Sequence, residues 1–344
     1  MMLAGAIAVV AAFLLSLGLY ALYRNLALRH GLLDVATWRS AHVESVPTGA
    51  GIVVALAAVP LLAMLVSPAS ALYLTIAGFG TLLAVLGFVD DHRPLPVAAR
   101  LLPQLFSAVG VIVCVGITRL SLTDDGLYYF VGLGLIVPLL GVVWVMNVHN
   151  FMDGLDGFAS LQALCFLLPA AVLFLHHDRV DLMFIALIIS VPVVAFLFWN
   201  LPPARLFLGD AGSVFLGFII ALLMLSGWQI SLTLFAALLT LYSAFFVDAS
   251  CTLVWRLQRG ENCFAAHRSH LFQQLFRLHG APWVLKGLLL INMCWLLPLT
   301  GLVTTGYIQP LAGLFLAYAP LIAVYVRWHE AEATTADLKD CEGQ

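Results

Sequence analysis

The chain has 344 residues, of which 63% are hydrophobic and only 10% charged, and its mean hydropathy is +1.05. A soluble domain carries about a quarter charged residues, so this composition excludes one and implies an all-α, polytopic integral membrane protein. The formal net charge of −3 singles out no charged partner and gives no sign of nucleic-acid binding.

Apolar stretches long enough to cross a bilayer as helices recur along the sequence. The first, 3–23, has no basic residue before it and no small-residue cleavage site, and reads as a retained span. The polar segment DVATWRSAHVESVPTGAG follows at 34–51. Spans are then expected at 50–66 and 70–89, and the second exits into VDDHRPLP, with the acidic pair Asp90-Asp91. Adjacent carboxylates at a membrane edge can bind a divalent cation or handle a proton on a phosphate, or can be a plain solvated loop.

Spans at 101–118 and 127–146 lead into NVHNFMDGLDG. There Asn147, Asn150, Asp153 and Asp156 recur every third residue, with Gly154 and Gly157 interleaved. Such oxygens on a tight turn suit a hard cation and a diphosphate, and the spacing does not fit an EF-hand. The alternative is an Asx-rich turn between helices. His149, His176 and His177 are left as unassigned loop residues.

Spans at 158–175 and 182–199 precede LFLGDAGS, which opens the next span at 213–227. A helix N-terminus with small residues can admit a phosphate to its free N–H groups, and Asp210 can ligate magnesium there or simply cap the helix. The span at 230–254 contains Asp248. An intramembrane carboxylate is either functional or paired, here with Arg256 or with another helix. The longest polar loop follows, with His267, Arg268 and His270 near Arg256, Arg259 and Arg277. That cluster can grip a phosphate or stabilise charge on a leaving group, or can act only as a topology signal. Spans at 283–303 and 308–326 complete a single membrane domain, 1–326, before a short polar tail, 327–344.

Eleven spans put the termini on opposite sides. Thirteen of the fifteen Lys and Arg residues fall on one side, leaving only Arg119 and Arg179 on the other. The crowded side is therefore cytoplasmic and the N-terminus outside. All the polar motifs share the cytoplasmic side, which favours chemistry at a membrane surface over a solute pathway through the spans. The six cysteines form no close pair and imply neither a disulfide framework nor a zinc site.

GFVDDHRPLP, NVHNFMDGLDG, FLGDAGSVFLG and AHRSHL, in this order, resemble the polyprenyl-phosphate N-acetylhexosamine-1-phosphate transferases. The resemblance covers nearly the whole chain, and NFMDGLDG with GDAGS carries it most specifically. It implies transfer of a sugar 1-phosphate from a UDP-sugar to undecaprenyl phosphate, with release of UMP. By motif, Asp90 and Asp91 match the catalytic acidic pair near the lipid phosphate, and His267 and His270 the histidines that meet the diphosphate. Asn147, Asn150, Asp153, Asp156 and Arg268 match substrate-binding positions, and Asp210 with Asp153 the ligands of Mg2+, or of Mn2+ in its place. The early loop usually has a basic residue near Pro47 where this chain has Thr48, and Arg39 is the candidate replacement. The peptidoglycan translocase of the family has consecutive histidines where this chain reads His267-Arg268-Ser269-His270. That departure favours an O-antigen-type initiator in a bacterial inner membrane over a UDP-muramoyl-pentapeptide enzyme. The partners implied are undecaprenyl phosphate, the UDP-sugar and membrane lipid; association as a homodimer is left open. The rival from another class is a transporter or lipid flippase.

Overall fold

The computed structural model describes residues 2–34, 45–117, 120–121, 129–130, 133–262 and 267–342. Helices dominate: α1 (Met2–His30), α2 (Ile52–Leu65), α3 (Ala71–His92), α4 (Val97–Val115), α5 (Leu133–Phe151), α6 (Phe158–His176), α7 (Val180–Asn200), α8 (Gly209–Ile230), α9 (Leu232–Leu241), α10 (Ser243–Gln258), α11 (Leu271–His279), α12 (Ala281–Thr304) and α13 (Pro310–Glu342). Two minimal antiparallel pairs accompany them, Leu33–Asp34 with Val46–Pro47 and Leu120–Ser121 with Tyr129–Phe130.

Among the described residues, eight helices are long and apolar enough to cross a membrane, or nine if the bent pair α9–α10 is one span. Each of the eleven apolar stretches contains a helix, but the one expected at 127–146 includes the strand Tyr129–Phe130 and is helical from Leu133, and α2 and the apolar part of α5 (Leu135–Phe151) are shorter than that length. The stretch expected at 230–254 is broken at Tyr242, where α9 and α10 meet at 72°. The polar tail is continuous with the last apolar stretch, because α13 runs on as helix to Glu342.

Hydrophobic all round except at its first turn, α8 sits where such a helix must, in the middle of the bundle. Its most apolar stretch is 94% buried, against 11% for α1 and 17% for α13. It packs on α2, α3, α4, α5, α6 and α9. Small residues let its first turn come close to its neighbours. A Cβ on Gly51 at the start of α2 would lie 2.2 Å from the Gly212 Cα, and one on Gly87 of α3 would lie 2.5 Å from the Asp210 carbonyl. The two entry segments are also zipped by backbone bonds: Phe207 N–H donates to Pro47 O, Ala50 N–H to Phe207 O and Gly51 N–H to Leu208 O.

Candidate active site

The α8 entry turn is the hub of the site. Gly209 has φ +69°, a left-handed conformation that suits glycine, and it turns the chain into the helix. Asp91, at the end of α3, accepts from Asp210 N–H (2.7 Å) and Ala211 N–H (3.2 Å), while Asp153 accepts from Gly209 N–H. The first three amides of α8 are therefore taken by carboxylates of the protein. The sequence offered these amides and small residues to a phosphate; the structure uses the amides to bind Asp91 and Asp153, and the small residues for close packing. Asp91 accordingly fastens α3 to α8.

Asp90, one residue earlier, faces differently. One oxygen accepts from Leu95 N–H, holding the turn into α4, and the other lies 3.4 Å from Arg100. Its carboxyl also touches that of Asp210, which in turn accepts from Asn150 Nδ2 (2.7 Å).

Instead of ending near 146, α5 runs on to Phe151, which reduces the polar loop to 152–157. Asn147 and Asn150 are thus one turn apart on a helix and look the same way. Asn147 donates to Gln104 Oε1 (2.7 Å), and Asn150 also donates to Ser213 Oγ (3.0 Å). Asp153 and Asp156 do occupy the turn. Asp153 is half-buried, and desolvation first, then the charges of Asp210, Asp91 and Asp156, push its carboxyl well above the usual range. Asp156 accepts from Ala204 N–H, and Asn200 accepts from Gly157 N–H, so the turn is docked on the α7–α8 connection. Asn200 had no sequence signal beyond ending an apolar run. His149 is no loop residue: it is fully buried in α5 and pairs with the Tyr242 hydroxyl (2.9 Å) at the α9–α10 break. His176 ends α6 and His177 caps it.

His267 and His270 have ring centres 4.9 Å apart. His267 pairs with Ser269 Oγ through Nδ1 (2.8 Å), and burial, followed by the nearby His270 and Arg256, lowers it to about 4, which keeps it neutral at neutral pH. His270 is buried and its Nδ1 lies 3.2 Å from Asp248. Of the two pairings open to Asp248, the structure adopts the one with another helix: its carboxylate holds the start of α11, and Arg256 bonds Glu261 (3.4 Å) and Asn262 O instead. Arg268 places one guanidinium nitrogen in a buried position with no hydrogen-bond partner. Arg39 lies outside the described residues.

A cavity of about 650 Å³ joins these motifs. Asp90, Asn147, Asn150, Asp210, His267 and His270 all line it, although they span 180 positions of sequence. Its remaining wall is largely apolar, from α3, α4, α5 and α10. Gln104 and Gln273 also line it, and neither has a role assigned from the sequence. Asp91, Asp153, Asp156 and Arg268 are not on its surface and support the lining residues from behind or beside them. Among the described residues no three His, Cys, Asp or Glu side chains form a ready-made metal site. Yet the Asp90–Asp210 contact beside Asp153 fits Mg2+ by chemistry, because that ion takes one or two carboxylates and completes its shell with water and substrate phosphates.

A model of glycosyl transferase family 4 matches residues 72–228, a stretch that runs from α3 through nearly all of α8. Over these residues the chain is similar to that family. The probable undecaprenyl-phosphate N-acetylglucosaminyl 1-phosphate transferase of Bacillus subtilis is 28% identical over 259 residues, which cover 73% of this chain and 72% of that protein. The phospho-N-acetylmuramoyl-pentapeptide-transferase of Lactococcus lactis subsp. cremoris is 27% identical over 43% of this chain and 50% of its own length. That of Mycolicibacterium gilvum is 32% identical over 44% and 53%. The similarity to these relatives supports a transferase, and the apolar helices a multi-pass membrane protein. The family match covers the acidic motifs and stops before His267, and the fold brings the histidines to the same cavity.

Proposed function

We propose that the protein transfers N-acetylhexosamine 1-phosphate, or a deoxy derivative, from a UDP-sugar to undecaprenyl phosphate and releases UMP. The reaction would take place at the cytoplasmic face of a bacterial inner membrane, on a chain of eleven spans with its N-terminus outside, and would initiate an O-antigen-type polysaccharide. The observation that carries this reading is a cavity lined by acidic residues (Asp90, Asp210), by histidines (His267, His270) and by an apolar wall. An amphiphilic acceptor and a charged donor need both kinds of surface.

Lipid phosphate is largely dianionic at neutral pH, since its second pKa is about 6. It is a nucleophile without help from a strong base, and the harder problem is its repulsion from the donor diphosphate. Asp210 and Asp153, with Asp90, would hold Mg2+, which when bound offsets that charge and polarises the phosphoryl oxygens. His270 would meet the negative charge that develops on the leaving UMP, and Arg268 would add positive charge from beside the cavity. Asn150 keeps the Asp210 carboxylate turned toward the cavity through its 2.7 Å bond. Asn147, held against Gln104, would offer its amide to the donor. Direct attack of the lipid phosphate on the sugar-proximal phosphorus suits this arrangement, because Asp91, the neighbour of Asp90, is spent on backbone N–H groups.

Purified protein incubated with undecaprenyl phosphate and a panel of labelled UDP-sugars should yield lipid-linked product and UMP with one N-acetylhexosamine donor. No product from any nucleotide sugar, together with movement of a labelled lipid or solute in liposomes, would replace this reading with the transporter or flippase. Product from UDP-muramoyl-pentapeptide alone would move the protein to the translocase branch.

A further inference from the structure

Asp248 does more than an N-terminal cap requires. It comes from α10, not from the segment it caps, and it is buried. Its Oδ1 accepts from Leu271 N–H (3.0 Å), and its Oδ2 from Phe272 N–H (2.9 Å). Those two bonds already satisfy the start of α11. The same Oδ1 also accepts from the Thr252 hydroxyl (3.2 Å) and meets His270 Nδ1 at 3.2 Å. Behind Thr252 stands Tyr325 of α13, whose hydroxyl donates to Thr252 Oγ1 (3.1 Å). Every contact pushes a proton donor toward the carboxylate, so Nδ1 of His270 is the protonated nitrogen. Nε2 is then the ring atom available to the cavity that His270 lines.

We propose that Asp248, backed by Thr252 and Tyr325, is a positioning residue that fixes the tautomer and tilt of His270 so that Nε2 addresses the donor diphosphate. The proposal rests on the transferase reading for what His270 meets. With Nδ1–H committed to a carboxylate, Nε2 takes a proton as the neutral ring, or donates to an anionic oxygen once protonated. A ring left free to rotate would present either nitrogen. The α13 contribution explains how a helix at the rim of the bundle bears on the site.

Two measurements test this. In protein labelled with 15N-histidine, the His270 signal, identified by its loss in His270→Ala, should report an Nδ1-protonated ring, and Asp248→Asn should shift it toward the other tautomer. Finding Nε2 protonated in the wild type would overturn the proposal. In turnover assays, Asp248→Asn should lower kcat at least about tenfold, the lower end of what an oriented acid–base group contributes being larger still, while KM for the UDP-sugar stays within about twofold. In the His270→Ala background the same substitution should add less than about twofold, because residues acting as a unit are not additive. An equal loss in both backgrounds would mean that Asp248 only caps α11, and would sink the idea. If Asp248→Asn does not fold, Thr252→Val takes its place in both measurements, with a smaller effect in the same direction. Absence of transfer with every donor would overturn the transferase reading, and the tautomer measurement would still decide the Asp248–His270 contact.

Discussion

Gly87 carries no chemistry, yet its replacement by alanine should nearly silence the enzyme. A Cβ there would lie 2.5 Å from the carbonyl carbon and oxygen of Asp210 and 2.6 Å from Ala211 N, all of them backbone atoms. Ordinary contact begins at 3.4 Å, so the first turn of α8 has to retreat from α3 by about 0.9 Å, and overpacking of this kind costs ~1–3 kcal/mol of stability. Asp91 is on α3 with Gly87, and its 2.7 Å bond to Asp210 N–H would stretch beyond hydrogen-bond reach. The Asp90–Asp210 contact opens by the same movement. A misplacement of about 1 Å costs roughly 100-fold in rate. Gly78, on the same helix, has nothing within 4 Å of its would-be Cβ, and Gly78→Ala should be close to wild type. The assay is sugar-phosphate transfer by monodisperse detergent-purified protein, with melting temperatures for all three forms. Transfer by Gly87→Ala within threefold of wild type would show that the α3–α8 approach does not set the geometry of the site.

Asp90→Asn should lose at least ~10-fold in rate, about 1.4 kcal/mol of barrier, and Asp210→Asn should abolish turnover while still inserting and purifying normally; wild-type magnesium dependence in Asp210→Asn would remove it from the metal site. His267→Ala and His270→Ala should each lower turnover strongly and Arg277→Ala much less, since Arg277 is exposed and bonds the Arg268 carbonyl; equal small effects at all three would leave the cluster as a topology signal. Burial and neighbouring charge raise the Asp153 carboxyl, so a cation must displace its proton, and the Mg2+ concentration for half-maximal activity should fall as pH rises, by up to about tenfold per unit while one proton is released; a value independent of pH between 6 and 8.5 would contradict this. In intact cells a cysteine replacing Asp124 should react with an impermeant thiol reagent and one replacing exposed Arg93 should not; labelling at 93 from outside would invert the topology.

Composition alone determined the membrane class, because no arrangement of so few charges could make this chain a soluble domain. The apolar runs located the long helices, since a bilayer of fixed thickness imposes a length that shows directly in the sequence, but not α11, which lies in the longest polar loop. The motifs nominated Asp90, Asn147, Asn150, Asp210, His267 and His270, and tertiary structure brought those six to one cavity. What the sequence could not separate was lining from support. Asp90 and Asp91 are the same residue in succession, and only the approach of α8 makes one a cavity wall and the other an anchor for backbone amides. GDAGS reads equally well as a phosphate cradle and as a close-packing surface, and the neighbours of Gly51 and Gly87 make the choice. Asp248 found its partner 22 residues away because α10 turns sharply from α9 and brings its carboxylate to the start of α11, a bend that no local propensity at Tyr242 announces. Hydropathy reports the solvent each residue prefers, one residue at a time; which donor meets which acceptor depends on how helices cross, and that is fixed only when they pack.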